Sequence, residues 1–118
     1  MRKEIKILAK DLISKAVINN GVVFFEYINT YDYGLTYKEA SLFVIICDNF
    51  KNNRINTVNN FLRDCDCTLK EWEEVLISLR ELENLGYIKA FQKDNEIIMF
   101  PVFALDTEVE KQLKGGAK

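Results

Sequence analysis

The sequence predicts a mainly helical fold with a small antiparallel sheet, arranged as a winged helix-turn-helix, and three observations support this. The first is a helix that starts at Thr68 and stops at Gly86, a residue suited to the left-handed conformation that ends helices. The second is a pair of short strands within 87–100, separated by a polar turn. The third is that two further helices, starting at Thr36 and Thr57, precede this unit. Helix, short helix, turn, helix and two-stranded wing is the winged-helix order.

The helix that starts at Thr68 carries a capping box, because Glu71 lies three residues after a threonine that can accept from the first turn. Its apolar residues recur at spacings of three and four, which predicts one buried face. These are Leu69, Trp72, Val75, Leu76, Leu79 and Leu82. The wing is predicted as strands 87–92 and 97–100 around the turn 93–96, with Pro101 as the stop.

The helix before it has its own capping box, formed by Thr36 and Glu39, and an apolar period from Ala40 to Phe50. Thr57 is expected to cap a short helix, with Val58, Phe61 and Leu62 inward. Between the two helices, Ile55 is expected to form a one-residue bridge to the sheet.

The amino-terminal residues 1–20 have a helical apolar period and a basic polar side of net charge +3, so they predict an amphipathic helix that ends near Asn20. That side is either a solvated face or an arm that contacts phosphates. Val22–Phe25 reads as a strand that pairs with the wing. The chain therefore divides into this helix, a winged-helix core at 21–105, and a short carboxy-terminal helix with a frayed tail at 106–118.

Residues 26–33 contain three tyrosines and read as a turn of helix that ends at Gly34. The tyrosines are Tyr27, Tyr31 and Tyr33. They either pack half-buried at the edge of the domain or stack on the bases of a single strand.

Composition narrows the functional classes. The chain has no histidine, which removes the commonest general base and the usual zinc ligand sets, so we expect neither an enzyme, nor a metal site, nor a cofactor. The three cysteines, Cys47, Cys65 and Cys67, are expected to be reduced and inert. No apolar run approaches the length of a membrane span, and we expect a cytoplasmic protein with no membrane or small-molecule partner.

Charge argues against a DNA-reading helix. The chain has a net charge of −2 and a pI of about 5.2. In the helix 68–85, five glutamates oppose two basic residues, so that a phosphate backbone would be repelled. The residues expected to point outward are Lys70, Glu71, Glu74, Ser78 and Glu81. Of these, Glu71, Glu74 and Glu81 are the candidates for an acidic face that binds a protein partner.

Basic residues elsewhere can contact DNA backbone while the acidic helix is turned away. The candidate DNA-binding residues are Lys51, Arg54, Lys70, Lys89 and Lys93. Any such binding is expected to be weak.

The strand from Ile97 to Phe100 is apolar at four consecutive positions, so both of its faces require burial. One face can pack on the helices, and the other either on a second subunit or on the amino-terminal helix folded back over its own wing. For a homodimer, the candidate interface residues are Ile5, Leu8, Leu12, Ile97 and Met99.

These segments resemble the N-terminal domain of the DnaD-type primosomal replication proteins of low-GC bacteria and their phages. The resemblance runs from about Gly21 to Leu113 and lies in the segments YGLTYKEASLF, INTVNNFL, TLKEWEEVLISLRELENLGYIKAF and IIMFPVF. It implies a winged helix that self-associates and contacts other replication factors, while a separate C-terminal domain of that family supplies much of the single-strand DNA binding.

Three functions are compatible with these patterns. The first is a non-enzymatic replication accessory or initiation protein of a phage, plasmid or low-GC bacterium, acting through self-association, a protein partner and weak DNA contact. The second is a transcription regulator that binds duplex DNA. The third is a protein-binding inhibitor that uses its acidic helix as a nucleic-acid mimic. A winged helix serves all three.

Overall fold

The computed structural model describes residues 2–20, 22–26, 28–54, 56–60 and 69–102, with the side chains of residues 2–4, 69 and 70 left aside. The described part combines helices with small antiparallel sheets. Its elements in chain order are α1 (Arg2–Ser14), β1 (Ala16–Asn19), β2 (Val22–Phe25), a 3₁₀ helix (Thr30–Tyr33), α2 (Tyr37–Lys51), α3 (Leu69–Leu85), β3 (Ile88–Lys93) and β4 (Glu96–Pro101).

The start of α2 confirms the capping box predicted at Thr36. The Glu39 backbone N–H donates to the Thr36 hydroxyl at 3.1 Å, and the Thr36 N–H donates to the Glu39 carboxylate at 2.8 Å. The helix then buries its apolar period, with Phe43 and Ile46 fully enclosed. Both interactions lie within one turn, which is why the sequence predicts them.

Helix α3 has the predicted extent but a different rotation about its axis. Val75, Leu79 and Leu82 are buried as predicted. Trp72 and Leu76 are exposed, which contradicts their predicted burial, and Ser78 is buried although it was expected to point outward. The reason is that residues 75, 78, 79 and 82 form the stripe of α3 that faces α2. The adjacent stripe, which carries Trp72 and Leu76, therefore lies on the side of the wing.

Gly86 ends α3 as predicted. Its φ of 92° is in the region that glycine tolerates best. The Tyr87 N–H donates to the Leu82 carbonyl at 3.0 Å, which closes the last turn. The side chain of Ile5 lies 3.7 Å from the position that a Cβ on Gly86 would occupy, so α1 packs over this corner.

The wing is confirmed as an antiparallel hairpin, with β3 and β4 paired from Ile88 with Pro101 to Lys93 with Glu96. Pro101 belongs to the strand, and the ladder continues past it, because the Val102 N–H donates to the Tyr87 carbonyl at 2.8 Å. A bridge joins β4 to the segment after α2. It lies at Thr57, paired with Ile98, whereas the residue predicted for it, Ile55, is outside the described part.

The amino-terminal region departs from prediction. Helix α1 ends at Ser14, and residues 16–19 form a strand that pairs with β2 in a separate hairpin, so β2 does not pair with the wing. The register leaves two residues between the strands, Asn20 and Gly21. Asn20 has a φ of 53°, and Asn-Gly is the pair favoured in tight two-residue hairpins. This preference for a tight turn and the β-branched residues at 17–18 both favour a hairpin. Together they outweigh the helical spacing of apolar residues that continues past the end of α1.

One core joins α1, α2, α3 and the wing. Ala9 and Leu12 of α1 are fully buried in it, beside Phe43, Leu82 and Tyr87. The amino-terminal helix therefore packs into the core of its own chain, while Ile97 of the wing, which it was expected to cover in the alternative to a dimer, stays exposed.

Several expectations fall outside the described part of the chain. These are the Thr68 cap, the inward positions of Phe61, Leu62 and Leu69, the thiols of Cys65 and Cys67, Tyr27, and the carboxy-terminal helix in 106–118. Among the helices that the structure does describe, none has the combined length and apolar character needed to cross a membrane.

Candidate interaction surfaces

The acidic side of α3 is exposed, as the sequence predicts. Glu71, Glu74 and Glu81 are all at the surface, and Glu74 accepts from the Lys38 ammonium of α2 at 3.0 Å. Arg80 is the one basic residue among the α3 side chains that the structure describes, against five glutamates. The Lys70 side chain is not among them. This side of α3 therefore attracts cations and repels phosphates.

A groove runs between α3 and the wing, and it encloses about 290 Å³. Leu76 and Ile97 line it, and each remains 43% exposed. Leu79, Ile88 and Met99 also line it and are buried. The remaining lining residues are Val58, Arg80, Glu83 and Ala90. We call this feature the α3–wing groove; its lining leaves two large apolar side chains partly exposed.

The edge of β3 along this groove is closed by a side chain. The Ala90 N–H donates to the Glu83 carboxylate at 2.8 Å. A carboxylate on the backbone donor of an edge strand takes the place that another strand would need. The wing is thereby protected against pairing with a further strand at this point.

The predicted DNA-binding residues of the wing lie on its other face. The alternation along β3 places Lys89, Phe91 and Lys93 opposite to the groove-lining Ile88 and Ala90. Phe91 contacts Phe100 at a centroid distance of 5.9 Å, and Phe100 contacts Phe50 at 6.3 Å.

The end of α2 contacts this face through Phe50. Lys51 directly follows Phe50 and is exposed, and Arg54 lies in the exposed loop after it. Lys89 and Lys93 share one face of β3, which we call the basic wing face. Glu96 is the cross-strand neighbour of Lys93 and places a negative charge at the end of this face.

A third surface was not anticipated from the sequence: the outer face of the β1–β2 hairpin. Val17 pairs with Phe24 and Asn19 with Val22, so these four side chains share one face. The three apolar members are each about half exposed. The Asn20-Gly21 pair between two β-branched segments was the signal that could have revealed this hairpin.

The inner face of the same hairpin packs on the body of the molecule. Val23 is buried, and Phe25 meets the ring of Tyr37 edge to face at 5.4 Å. The Tyr37 hydroxyl donates to the Val23 carbonyl at 3.0 Å. The hairpin is thus anchored on one side and open on the other.

The residues predicted for a dimer interface are mostly used inside the chain. Leu12 and Met99 are buried in the core, and Ile5 and Leu8 are partly buried against it. Ile97 is exposed, but it lines the α3–wing groove. Among the described residues, the exposed apolar side chains include those at the groove and at the outer hairpin face, together with Ile7, Tyr31 and Ile77.

A polar cluster ties α1 to the 3₁₀ helix. The Tyr33 hydroxyl donates to the Asp11 carboxylate, and the Lys15 ammonium donates to the same oxygen at 3.2 Å. The hydrogen bond from Tyr33, followed by that from Lys15, lowers the pKa of Asp11. Tyr33 is buried here, whereas Tyr31 is exposed. This cluster has a structural role, since it fixes α1 on the body.

Cys47 is buried in α2, and that burial raises the pKa of its thiol well above the usual value. A neutral buried thiol is a poor nucleophile, in line with the inert role expected for it. Within the described residues, no group of three or more histidine, cysteine or carboxylate side chains is placed to hold a metal ion.

Compared with known proteins, this chain matches no family model, no curated protein and no solved structure.

Proposed function

We propose that this protein is a non-enzymatic winged-helix accessory or initiation factor of DNA replication, of the phage, plasmid or low-GC bacterial type. It acts by self-association and by binding a protein partner, with weak contacts to DNA backbone. The order α2, helical turn after Thr57, α3 and wing, with a bridge from Thr57 to β4, is compatible with a winged helix. The assignment to DNA replication is based on the resemblance to DnaD-type proteins.

The proposal that this protein binds a protein partner rests on the surface of α3. In a winged helix, this is the helix that would read a major groove through Arg, Lys, Asn or Gln. Here the exposed side carries glutamates together with Trp72, Leu76 and Ile77. Exposed apolar and aromatic residues are typical of a surface that binds protein.

Self-association is assigned to the outer hairpin face. Its exposed Val17, Val22 and Phe24 form one apolar patch, and an isologous pair of such patches would bury both. We expect the wild-type protein to sediment as a dimer at tens of micromolar, and Phe24→Ser to sediment as a monomer with an unchanged circular dichroism spectrum. Tyr31→Ser, which also removes an exposed aromatic residue, is the control and should remain dimeric. A wild-type monomer at that concentration would contradict self-association.

DNA contact is assigned to the basic wing face. Replacing both Lys89 and Lys93 by alanine should abolish binding to a random duplex and flatten its salt dependence, because phosphate contacts release counterions. Lys70→Ala should change little. Fluorescence anisotropy at two salt concentrations, with a duplex, a single strand and the DNA upstream of the gene, checks this. The opposite ranking of the variants would place the DNA on α3 and contradict the assignment.

The acidic α3 also favours a second candidate, a protein-binding inhibitor that occupies the nucleic-acid site of its target. This candidate predicts flat anisotropy curves with all three DNAs at low salt. A strong preference for the upstream duplex would instead favour a transcription regulator.

A further inference from the structure

We propose that two copies of this chain associate by pairing their β1 strands edge to edge, antiparallel about Val17, so that the two amino-terminal hairpins form one continuous sheet. The inference rests on the proposed function, because it specifies how the two outer hairpin faces meet in the self-association assigned there. The two apolar patches come to lie side by side on one surface of the joined sheet.

The first argument is the direction of the backbone groups along β1. The Glu26 N–H donates to the Lys15 carbonyl at 3.2 Å, which makes these two residues a hydrogen-bonded pair of the hairpin. Such pairs alternate along an antiparallel ladder, so the next ones on β1 are at Val17 and Asn19. The backbone groups of the intervening residues 16 and 18 therefore point away from β2.

These outward groups make β1 an open edge. Within the described part of the chain, the backbone N–H and carbonyl groups of Ala16 and Ile18 have no hydrogen bond to another residue. The Ile18 side chain is 38% exposed, and Asn19 beside it is exposed as well. A further strand can therefore approach this edge and bond to it.

The second argument is that the other three strands each have an outward backbone group bonded within the chain. The Tyr37 hydroxyl donates to a carbonyl of β2 at 3.0 Å. On the wing, the Ala90 N–H of β3 donates to Glu83 at 2.8 Å, and the Met99 N–H of β4 donates to the Asn56 carbonyl at 2.7 Å. Proteins occupy edge strands in this way to prevent unwanted pairing, and among the described strands β1 lacks such a group.

The third argument is that the edge of β1 is complementary to itself. In an antiparallel pair about Val17, Ala16 of each copy lies opposite Ile18 of the other, and residues in such pairs exchange backbone hydrogen bonds. The small Ala16 side chain leaves room for the larger Ile18 side chain that it faces. The following pair places Lys15 opposite Asn19, so that no like charges meet across the contact.

The fourth argument is the apolar row that the pairing creates. The two Val17 residues meet at the two-fold axis as a non-hydrogen-bonded pair, the kind in which side chains approach most closely. Phe24 flanks Val17 in each copy, and the two side chains are 51% and 49% exposed. The joined sheet therefore has two valines at its centre between two phenylalanines, and aromatic and β-branched neighbours stabilise a sheet.

Stacking the two hairpins face to face is a poorer arrangement. Asn19 shares the outer face with Val17, Val22 and Phe24. Stacking would take its amide out of water among apolar side chains, which costs free energy. Edge pairing leaves that amide at the open surface of the sheet.

Pairing at β1 also limits the assembly to two copies. The contact is isologous, so that each copy uses its open edge once. The outer strands of the joined sheet are then the two β2 strands, whose edges carry the bond from Tyr37. A ladder this short belongs with the small, weaker interfaces, in keeping with a dimer that forms at tens of micromolar.

The first test compares two substitutions of Ile18 in the full chain by sedimentation equilibrium. Ile18→Pro removes the outward N–H and leaves the hydrogen-bonded positions of the hairpin in place, since proline is tolerated where the N–H of an edge strand faces solvent. We expect it to raise the dimer dissociation constant at least about tenfold, with an unchanged circular dichroism spectrum. Ile18→Val keeps the N–H and is the matched control, which should remain as dimeric as the wild type. A folded Ile18→Pro that is as dimeric as the wild type would overturn the inference.

The second test does not depend on whether the proline variant folds. In edge pairing the two Val17 Cα atoms are about 4.5 Å apart, within the range that a disulfide spans, whereas the two Val22 residues lie on the outer strands of the joined sheet. With Cys65 and Cys67 replaced by serine, Val17→Cys should form a disulfide-linked dimer under mild oxidation, and Val22→Cys should stay unlinked on a non-reducing gel. Absence of the link at Val17 would overturn the inference, and a link at Val22 in its place would indicate stacked faces.

These outcomes separate the inference from the proposed function. If Phe24→Ser dissociates the wild-type dimer while Ile18→Pro stays dimeric and Val17→Cys stays unlinked, edge pairing is wrong and self-association through the outer hairpin face stands. A wild-type monomer at tens of micromolar would contradict self-association, and edge pairing with it.

Discussion

The two hairpins of this protein have the same antiparallel two-stranded form and different surroundings. The wing packs one face on α3, contacts the end of α2 through Phe100, and gains a bridge at Thr57. The β1–β2 hairpin is anchored through Val23 and Phe25 on its inner face, while its outer face stays apolar and exposed.

The difference shows how similar strand sequences acquire separate roles. An isolated two-stranded hairpin is at best marginally stable in water, so each hairpin depends on what covers it. The wing is covered by its own chain and belongs to the core. The outer face of the amino-terminal hairpin has no such cover within the described residues, which is why we assign self-association to it.

The largest loss of stability is expected from a substitution on the buried side of the wing. Met99→Ala should lower the free energy of unfolding by about 2–5 kcal/mol, because the side chain fills the core and the cavity cannot collapse fully. Phe24→Ala, on the open face of the other hairpin, should cost about 1 kcal/mol or less at concentrations where the protein is monomeric. Urea unfolding measures both values. Equal losses would mean that the two hairpins are packed alike, and the comparison would fail.

An intermediate effect is expected at the attachment of the wing to α2. The Asn56 amide donates to the buried Ile46 carbonyl at 2.9 Å and accepts from the Asn49 amide at 3.0 Å. Asn56→Ala should cost about 1–3 kcal/mol, because it leaves buried polar groups without partners. The counterpart in the amino-terminal hairpin is the bond from Tyr37 to Val23.

Tyr37→Phe is the matched comparison for that attachment. It should cost less than Asn56→Ala in the same urea titration, since Tyr37 is more than half exposed and water can replace its hydroxyl. A larger loss for Tyr37→Phe would show that the amino-terminal hairpin is the more firmly attached of the two.

A smaller effect than at Met99 is expected at Tyr87, which precedes the wing and donates to the Tyr33 carbonyl at 2.7 Å. Tyr87→Phe should cost about 1 kcal/mol at neutral pH. Burial, followed by the charge of Tyr33, raises the Tyr87 pKa from 10.0 to about 12. The unfolded chain therefore ionises first, so this contribution is complete below pH 10 and is lost as the pH rises toward 12.

Unfolding free energies measured from pH 8 to pH 11 check this dependence. The slope should be shallower in Tyr87→Phe than in the wild type. An equal slope in wild type and Tyr87→Phe would contradict the assignment of the alkaline loss to Tyr87.

Prediction from the sequence succeeded where the determining contacts are local. The capping box of α2 lies within four residues, Gly86 needs only its own backbone conformation, and the strands of the wing follow a polar turn. It failed for β1, because the apolar period of α1 continues past Ser14 and the Asn20 turn was read as the end of a helix.

The sequence predicts which residues belong to the candidate surfaces better than it predicts how those residues are arranged in space. Exposure of Glu71, Glu74 and Glu81 follows from their charge. The alternation of β3 places Lys89 and Lys93 on one face, but which face meets α3 depends on packing. The groove itself requires Leu76 and Ile97, which are 21 residues apart in sequence, to line the same space, and no local pattern specifies that.

The sequence by itself determined where α2, α3 and the wing strands form, and that α3 would be acidic, because capping, periodicity and charge are properties of neighbouring residues. Tertiary structure alone decided the rotation of α3, which buries Ser78 and exposes Trp72 and Leu76. It also decided that Leu12 and Met99 belong to the core. The physical reason is that a helix with apolar residues around more than one stripe can bury either, and the shapes of α2 and the wing select the stripe that packs best.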